Sequence, residues 1–151
     1  MEPLKILFVC TGNTCRSAMA AVIMDDIAQK KNLNILIDSA GIFAYDGESA
    51  SDNAVMVMNE YGIDLSAHRA KMLTSEIIDM ADLILTMTNS HKQMIKNTAP
   101  DKIFTLYEYI GKDGDVADPY GSDTDEYRRS AQQLYEALTE LSNKLTVNNH
   151  E

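Results

Sequence analysis

Leu4-Lys5-Ile6-Leu7-Phe8-Val9 is a short run of large apolar and β-branched residues that stops at a Gly-containing turn, and it predicts a buried parallel strand. From Ser17 to Lys31 there is no Gly or Pro and the composition turns helical, with Ser17 as a natural N-cap. A second strand is predicted over Ile35 to Ser39, stopping at Gly41, and Asp52 to Tyr61 predicts a helix closed by Gly62. Thr74 to Met80 predicts a short helix with Thr74 as its cap, and Asp82 to Met87 a third strand. Asn89 to Asn97 is helical until Pro100 ends that stretch, and Ile103 to Leu106 is a fourth, short strand. Over Asp125 to Leu145 the leucines 134, 138, 141 and 145 recur at helical spacing, one apolar stripe of an amphipathic helix that serves the core.

Strands alternating with helices predict an α/β fold, a parallel sheet with helices on both faces. Such sheets bind ligands beyond the carboxyl ends of their strands, near the point where strand order reverses. The segment after the first strand is therefore the first place to look for chemistry.

Composition narrows the picture. A chain of 151 residues with 45% apolar content fits one domain over 1–151 with a proper core, and 142–151 is expected to fray. Thirteen Lys and Arg against 23 Asp and Glu give a net charge of −10, which argues against affinity for nucleic acid or an anionic membrane surface. The longest apolar run, Ala18 to Met24, is far too short to span a bilayer, and the N-terminus carries no basic signal-peptide region. Two cysteines five apart make no disulfide framework, and with three histidines they show no metal-ligand spacing. A cytoplasmic, soluble protein, expected to be a monomer, is what remains.

The segment after the first strand is Cys10-Thr11-Gly12-Asn13-Thr14-Cys15-Arg16-Ser17. A loop running from a strand end to a helix start turns successive backbone N–H groups inward as an anion nest, and the helix N-terminus adds partial positive charge. Gly12 would permit the tight backbone, and Asn13 would take a left-handed conformation or tie the loop with its amide. Arg16 offers a planar fork for two oxygens of a bound oxyanion. Cys10 would lie at the bottom as a thiolate, with Ser17 donating to its sulfur. A nucleophilic sulfur under a phosphate-shaped cradle is a covalent phosphoryl-transfer site, with residues 11–17 binding the phosphate. Cys-x5-Arg followed by Ser or Thr arises by chance in on the order of one chain in a hundred of this length, and its place between strand and helix removes most of that chance.

Such chemistry also needs an acid for the leaving group and a base for water. Asp118-Pro119-Tyr120, inside the irregular stretch from Gly111 to Asp123, is the candidate: a loop Asp stiffened by Pro, then an aromatic to wall the pocket.

At this point the chain resembles the low-molecular-weight protein tyrosine phosphatase family over essentially its full length. The matching motifs are Val9 through Ser17, Ser39-Ala40-Gly41, Gly62 through Ala70, Ala81 through Met87 with His91, and Asp118-Pro119-Tyr120-Gly121, in order. The resemblance implies a flavodoxin-like four-stranded sheet in order 2-1-3-4. It also implies Cys10 as nucleophile, Arg16 as phosphate clamp, Asp118 as general acid and then base, phosphorylated proteins as substrates, and neither cofactor nor metal. Ala18 departs from the Pro common in the family, and Ala21 from Glu.

Thr14 narrows the resemblance. Tyrosine-directed members mostly carry Ile here, whereas a bacterial branch with Thr resembles protein-arginine phosphatases. A Thr offers a hydroxyl to a polar, planar phosphoguanidine where Ile offers a methyl wall to an aromatic ring. The stretch Asp113 to Glu126, with six acidic residues and no basic one, suits a cationic leaving group. Thr14 and Tyr120 are thus the expected specificity residues, with phosphotyrosine as the alternative substrate.

Cys15 is either a small buried filler or a redox partner for Cys10. His68 and Arg69 are expected to tie loop backbone near the pocket, His91 to lie on the surface, Tyr45 to be an exposed loop residue, and the nine Met to fill the core. Thioredoxin-coupled arsenate reductases share the Cys-x5-Arg loop but need two more cysteines, and none follows Cys15. A phosphocarrier or an idle phosphate-binding module would not need both Arg16 and Asp118.

Overall fold

In a computed structural model that describes residues 2–149, the first strand, β1 (Leu4–Cys10), runs one residue past its predicted end, so that Cys10 is the last residue of the sheet. It is followed by α1 (Arg16–Lys31), β2 (Ile35–Gly41), α2 (Asp52–Glu60), α3 (Ser75–Met80), β3 (Leu83–Thr86), α4 (Asn89–Ile95), a 3₁₀ turn (Lys96–Thr98), β4 (Ile103–Thr105), α5 (Leu106–Tyr109) and α6 (Thr124–Asn149). All strand pairs are parallel and the order is β2-β1-β3-β4, as expected.

Because side chains alternate across a strand, β1 feeds two cores. Ile6, Phe8 and Cys10 face the larger one, which they share with Met19, Ile23 and Met24 of α1 and with α6. Leu7 and Val9 face the smaller one, with Ile78, Ile84, Ile95 and Ile103. The leucine stripe of α6 is buried at all four positions. Each such aliphatic side chain contributes about 1.5–3 kcal/mol by leaving water, which makes the sheet a firm platform for the loops at its carboxyl end.

Several expectations need correction. Ser17 does not cap α1; it lies within the helix, the cap position is Cys15, and no side-chain hydrogen bond is made there. The tail expected to fray is helical as far as Asn149, with Ser142 and Leu145 buried, because α6 packs along α1; residues 150 and 151 lie outside the described residues. Helix α4 gives way to the 3₁₀ turn at Lys96. Helix α5 went unforeseen: Leu106 ends no strand but starts a helix, since Thr105 and Glu108 form a reciprocal capping box. Of the methionines, Met19, Met24, Met58 and Met87 are buried, whereas Met56, Met72, Met80 and Met94 are exposed.

Candidate active site

Helices α2, α3, α4 and α5 each begin at a hydroxyl residue, Ser51, Thr74, Thr88 or Thr105, whose side chain accepts a backbone N–H. Helix α1 alone of these five has no such cap and no acidic residue in its first turn. A helix N-terminus left bare has free backbone N–H groups that can seat an external anion.

The loop that shapes this seat is held from three sides. Asn13 takes the left-handed conformation at φ 57°; Gly12 does not, so the turn depends on Asn13 rather than on the glycine. The Asn13 amide donates from Nδ2 to Ser17 Oγ at 2.8 Å and Ser39 Oγ at 2.9 Å, and its Oδ1 accepts from the Lys71 N–H at 3.1 Å. His68 Nε2 donates to the Asn13 carbonyl at 2.6 Å, the tethering role expected of it. Arg69 instead binds carbonyls of its own turn, Ser66 and His68. Beneath the loop, Gly41 leaves room that no other residue would: a Cβ there would stand 2.5 Å from the Thr11 carbonyl oxygen and 2.9 Å from the Asn13 nitrogen.

Cys10 is buried at the floor. Its Sγ accepts from the Asn13 N–H at 3.3 Å and lies 2.8 Å from Ser17 Oγ, so the hydroxyl that does not cap the helix serves the sulfur. Arg16 is buried too, with Nη1 donating to the Val116 carbonyl at 3.2 Å and Nη2 3.5 Å from Asp118 Oδ2. Asp118 is more than half exposed, and its Oδ1 accepts from the Tyr120 N–H at 3.0 Å. The loop carrying it is fixed by the Val116 N–H on the Met87 carbonyl at 3.0 Å, by the Asn89 N–H on Asp115 Oδ1 at 2.8 Å, and by Ser130 Oγ on the Ala117 carbonyl at 3.0 Å.

Cys10, Thr11, Gly12, Thr14, Cys15, Arg16 and Asp118 line a cavity of about 260 Å³ whose other walls are Phe43, Tyr45, Glu48 and Tyr120. Asn13 and Ser17 support the loop from behind rather than lining the cavity. Phe43, Tyr45 and Tyr120 are 62%, 78% and 76% exposed and make an aromatic rim. Tyr45 is thus both an exposed loop residue and a wall. Phe43 and Glu48 were not foreseen; an aromatic and a carboxylate in a polar loop give no signal until Ile42 and Phe43 pair with Cys10 and Thr11.

Both cysteines are free thiols. Cys15 Sγ lies 3.3 Å from the Tyr127 hydroxyl and contacts Ser51 Oγ at 3.7 Å. Burial, reinforced by the bond with Cys15, pushes the Tyr127 phenol up to about 12. Tyr127 also went unforeseen, although it extends the leucine stripe backward, seven residues before Leu134. Ala18 and Ala21, the departures from the family pattern, pack into the main core and at its margin.

His91 corrects the surface expectation. It is buried, with Nε2 2.9 Å from Thr11 Oγ1 and Nδ1 2.9 Å from Thr88 Oγ1. Burial, aided by the Arg16 charge and opposed by Asp118 and Asp115, lowers its pKa to about 4. Above pH 6.5 both folded and unfolded chains leave His91 neutral; between 6.5 and 4 only the unfolded chain takes up the proton, so stability falls as pH drops through this window. In urea titrations at pH 7 and pH 4.5, the wild type is expected to lose more stability than His91→Gln.

Fold and site together define an α/β protein in which Cys10 and Arg16 line one cavity at the sheet's switch point. The sequence profile of the low molecular weight phosphotyrosine protein phosphatases matches residues 5–151, and the chain belongs to that family. It is 45% identical to a protein-arginine-phosphatase of Geobacillus stearothermophilus, over 95% of this chain and 97% of that one. It is 40% identical to the low molecular weight protein-tyrosine-phosphatase PtpB of Staphylococcus haemolyticus, over 96% and 99%. A solved structure of the YwlE arginine phosphatase, a cysteine-to-serine mutant with a phosphorylated active-site serine, superposes with a TM-score of 0.91 at 42% identity, over 95% and 96% of the two chains.

Proposed function

We propose that this chain is a cysteine-dependent protein phosphatase that hydrolyses phosphoarginine in proteins. One observation carries the reading: the uncapped N-terminus of α1 frames an oxyanion seat with the Cys10 sulfur and the Arg16 guanidinium, and Asp118 Oδ2 lies 3.5 Å from Arg16 Nη2. Cys10 attacks phosphorus as a thiolate, forming an S–P bond while the P–N bond to the guanidino group breaks. The Asp118 carboxyl gives its proton to the departing nitrogen. A water then attacks phosphorus, Asp118 takes a proton from it, and the S–P bond breaks to release phosphate and restore the thiolate. Arg16 and the loop amides hold the equatorial oxygens through both steps.

The arginine preference is supported by Thr14, a buried cavity-lining side chain that presents a hydroxyl, and by the 45% identity to a protein-arginine-phosphatase. Phosphotyrosine is the second reading, favoured by the aromatic rim of Phe43, Tyr45 and Tyr120. Among the described residues no helix is long and apolar enough to cross a membrane. The two free thiols support a cytoplasmic setting, and we propose action as a monomer, since Cys10, Arg16 and Asp118 already meet in one cavity.

Phosphate release from matched phosphoarginine and phosphotyrosine peptides tests the reading directly. The phosphoarginine peptide is expected to be the better substrate, and the reverse order would leave the chemistry in place and retire the arginine assignment. Thr14→Ile is expected to move the ratio of kcat/KM values about tenfold toward phosphotyrosine, since a lost hydroxyl leaves the guanidino edge unpaired. An unmoved ratio would show that Thr14 is not the filter.

A further inference from the structure

His91 takes no part in the transfer just described, yet its ring leads straight back to the cavity. Thr88 Oγ1 accepts the His91 backbone N–H at 3.1 Å and lies 2.9 Å from Nδ1, so one hydroxyl both caps α4 and clamps the imidazole. The other ring nitrogen, Nε2, holds Thr11 Oγ1 at 2.9 Å. Thr11 follows Cys10 directly and lines the cavity, as does Thr14. A threonine hydroxyl has one proton and two lone pairs. The bond to His91 uses one of these and fixes where the others point; without it the side chain is free to turn its methyl group to the cavity.

The two candidate substrates differ at this level. A phosphorylated guanidino group is flat and carries N–H donors around its edge, whereas a phosphotyrosine ring offers only C–H. A wall bearing a fixed oxygen therefore favours the former, because a site built to hydrogen-bond a group discriminates against an analogue that lacks it. We infer that Thr11 is a second specificity-determining residue beside Thr14, accepting an N–H of the substrate's guanidino group, and that His91 is its positioning residue. This rests on the phosphoarginine reading above and adds to it a named contact and its support.

The test uses five proteins: wild type, Thr11→Val, His91→Leu, His91→Gln and the double variant Thr11→Val with His91→Leu. Glutamine carries an amide nitrogen close to where Nε2 stood, while leucine removes the polar contact. For each, kcat/KM is measured on a phosphoarginine peptide and on para-nitrophenyl phosphate, and the ratio of the two is the readout. Thr11→Val and His91→Leu are each expected to lower that ratio about tenfold, the effect of one hydrogen bond made to the substrate. His91→Gln is expected to recover most of it, and the double variant to fall no lower than Thr11→Val alone, since His91 acts through Thr11. Thr11 is exposed, so Thr11→Val keeps the test decisive even if His91→Leu fails to fold. Single variants that slow both substrates in equal proportion, or a double variant whose loss is the product of the two, would overturn the inference alone. A wild type with no phosphoarginine turnover would overturn it together with the reading beneath it.

Discussion

Cys10→Ser is expected to lower turnover by at least about 10⁴-fold, the scale seen when a covalent nucleophile is removed, while the protein keeps its fold. The substitution exchanges sulfur for a smaller oxygen at a buried position whose neighbours, the Asn13 N–H and the Ser17 hydroxyl, can bond a hydroxyl equally well. Thermal unfolding should therefore shift little, and far-UV circular dichroism should be unchanged. The chemistry differs because a serine hydroxyl at neutral pH is not ionised, and its hydrogen-bond neighbours, the Ser17 hydroxyl and the Asn13 N–H, are not bases. Phosphate release under saturating substrate, with a mass measurement for a trapped phosphoryl group, checks the expectation. Turnover within tenfold of the wild type would mean that the sulfur is not the nucleophile.

Asp118→Asn carries the second large effect, a fall in kcat of about 10²–10³-fold, within the range for a lost general acid–base group. The size should depend on the leaving group. A guanidino nitrogen departs poorly without a proton, whereas para-nitrophenolate departs as the anion. The variant is thus expected to lose more on phosphoarginine than on para-nitrophenyl phosphate, and pre-steady-state bursts separate the first transfer from hydrolysis of the thiophosphate. Equal losses in the first transfer would place the proton donor elsewhere. Stability should barely respond, because an ion pair with one partner more than half exposed is worth little.

Much of this protein is legible along the chain where the relevant partners are close in sequence. The apolar run of β1, the glycine-ended strand β2 and the leucine stripe of α6 carry their own periodicity, and Thr74 caps α3 through a contact three residues away. Cys10, Arg16 and Ser17 are legible for the same reason, because one loop between a strand and a helix brings them together. What escapes is whatever depends on distant segments. Nothing around His91 announces that Thr11, eighty positions earlier, completes its cage. Tyr127 meets Cys15 only after α6 docks on α1. The role of Gly41 is invisible until the Thr11 carbonyl comes to lie over it. Ser17 misleads in a more instructive way, since a hydroxyl at a helix start ordinarily caps, and here the sulfur claims it instead.

The two halves of the cavity hang on parts of the molecule with different exposure to change. Cys10 ends a strand hydrogen-bonded on both sides, to β2 and β3, and its carbonyl and that of Thr11 are taken up by Ile42 and Phe43. Tyr45 and Tyr120 sit in surface loops, and their side chains are largely exposed. Segments of the first kind exchange their amide protons with global unfolding, those of the second with local opening. Mutational drift is tolerated very unequally across such a divide: the bond-making half is pinned to the most constrained strand of the sheet, while the rim can be rewritten residue by residue. A lineage built this way can change its clientele without rebuilding its chemistry.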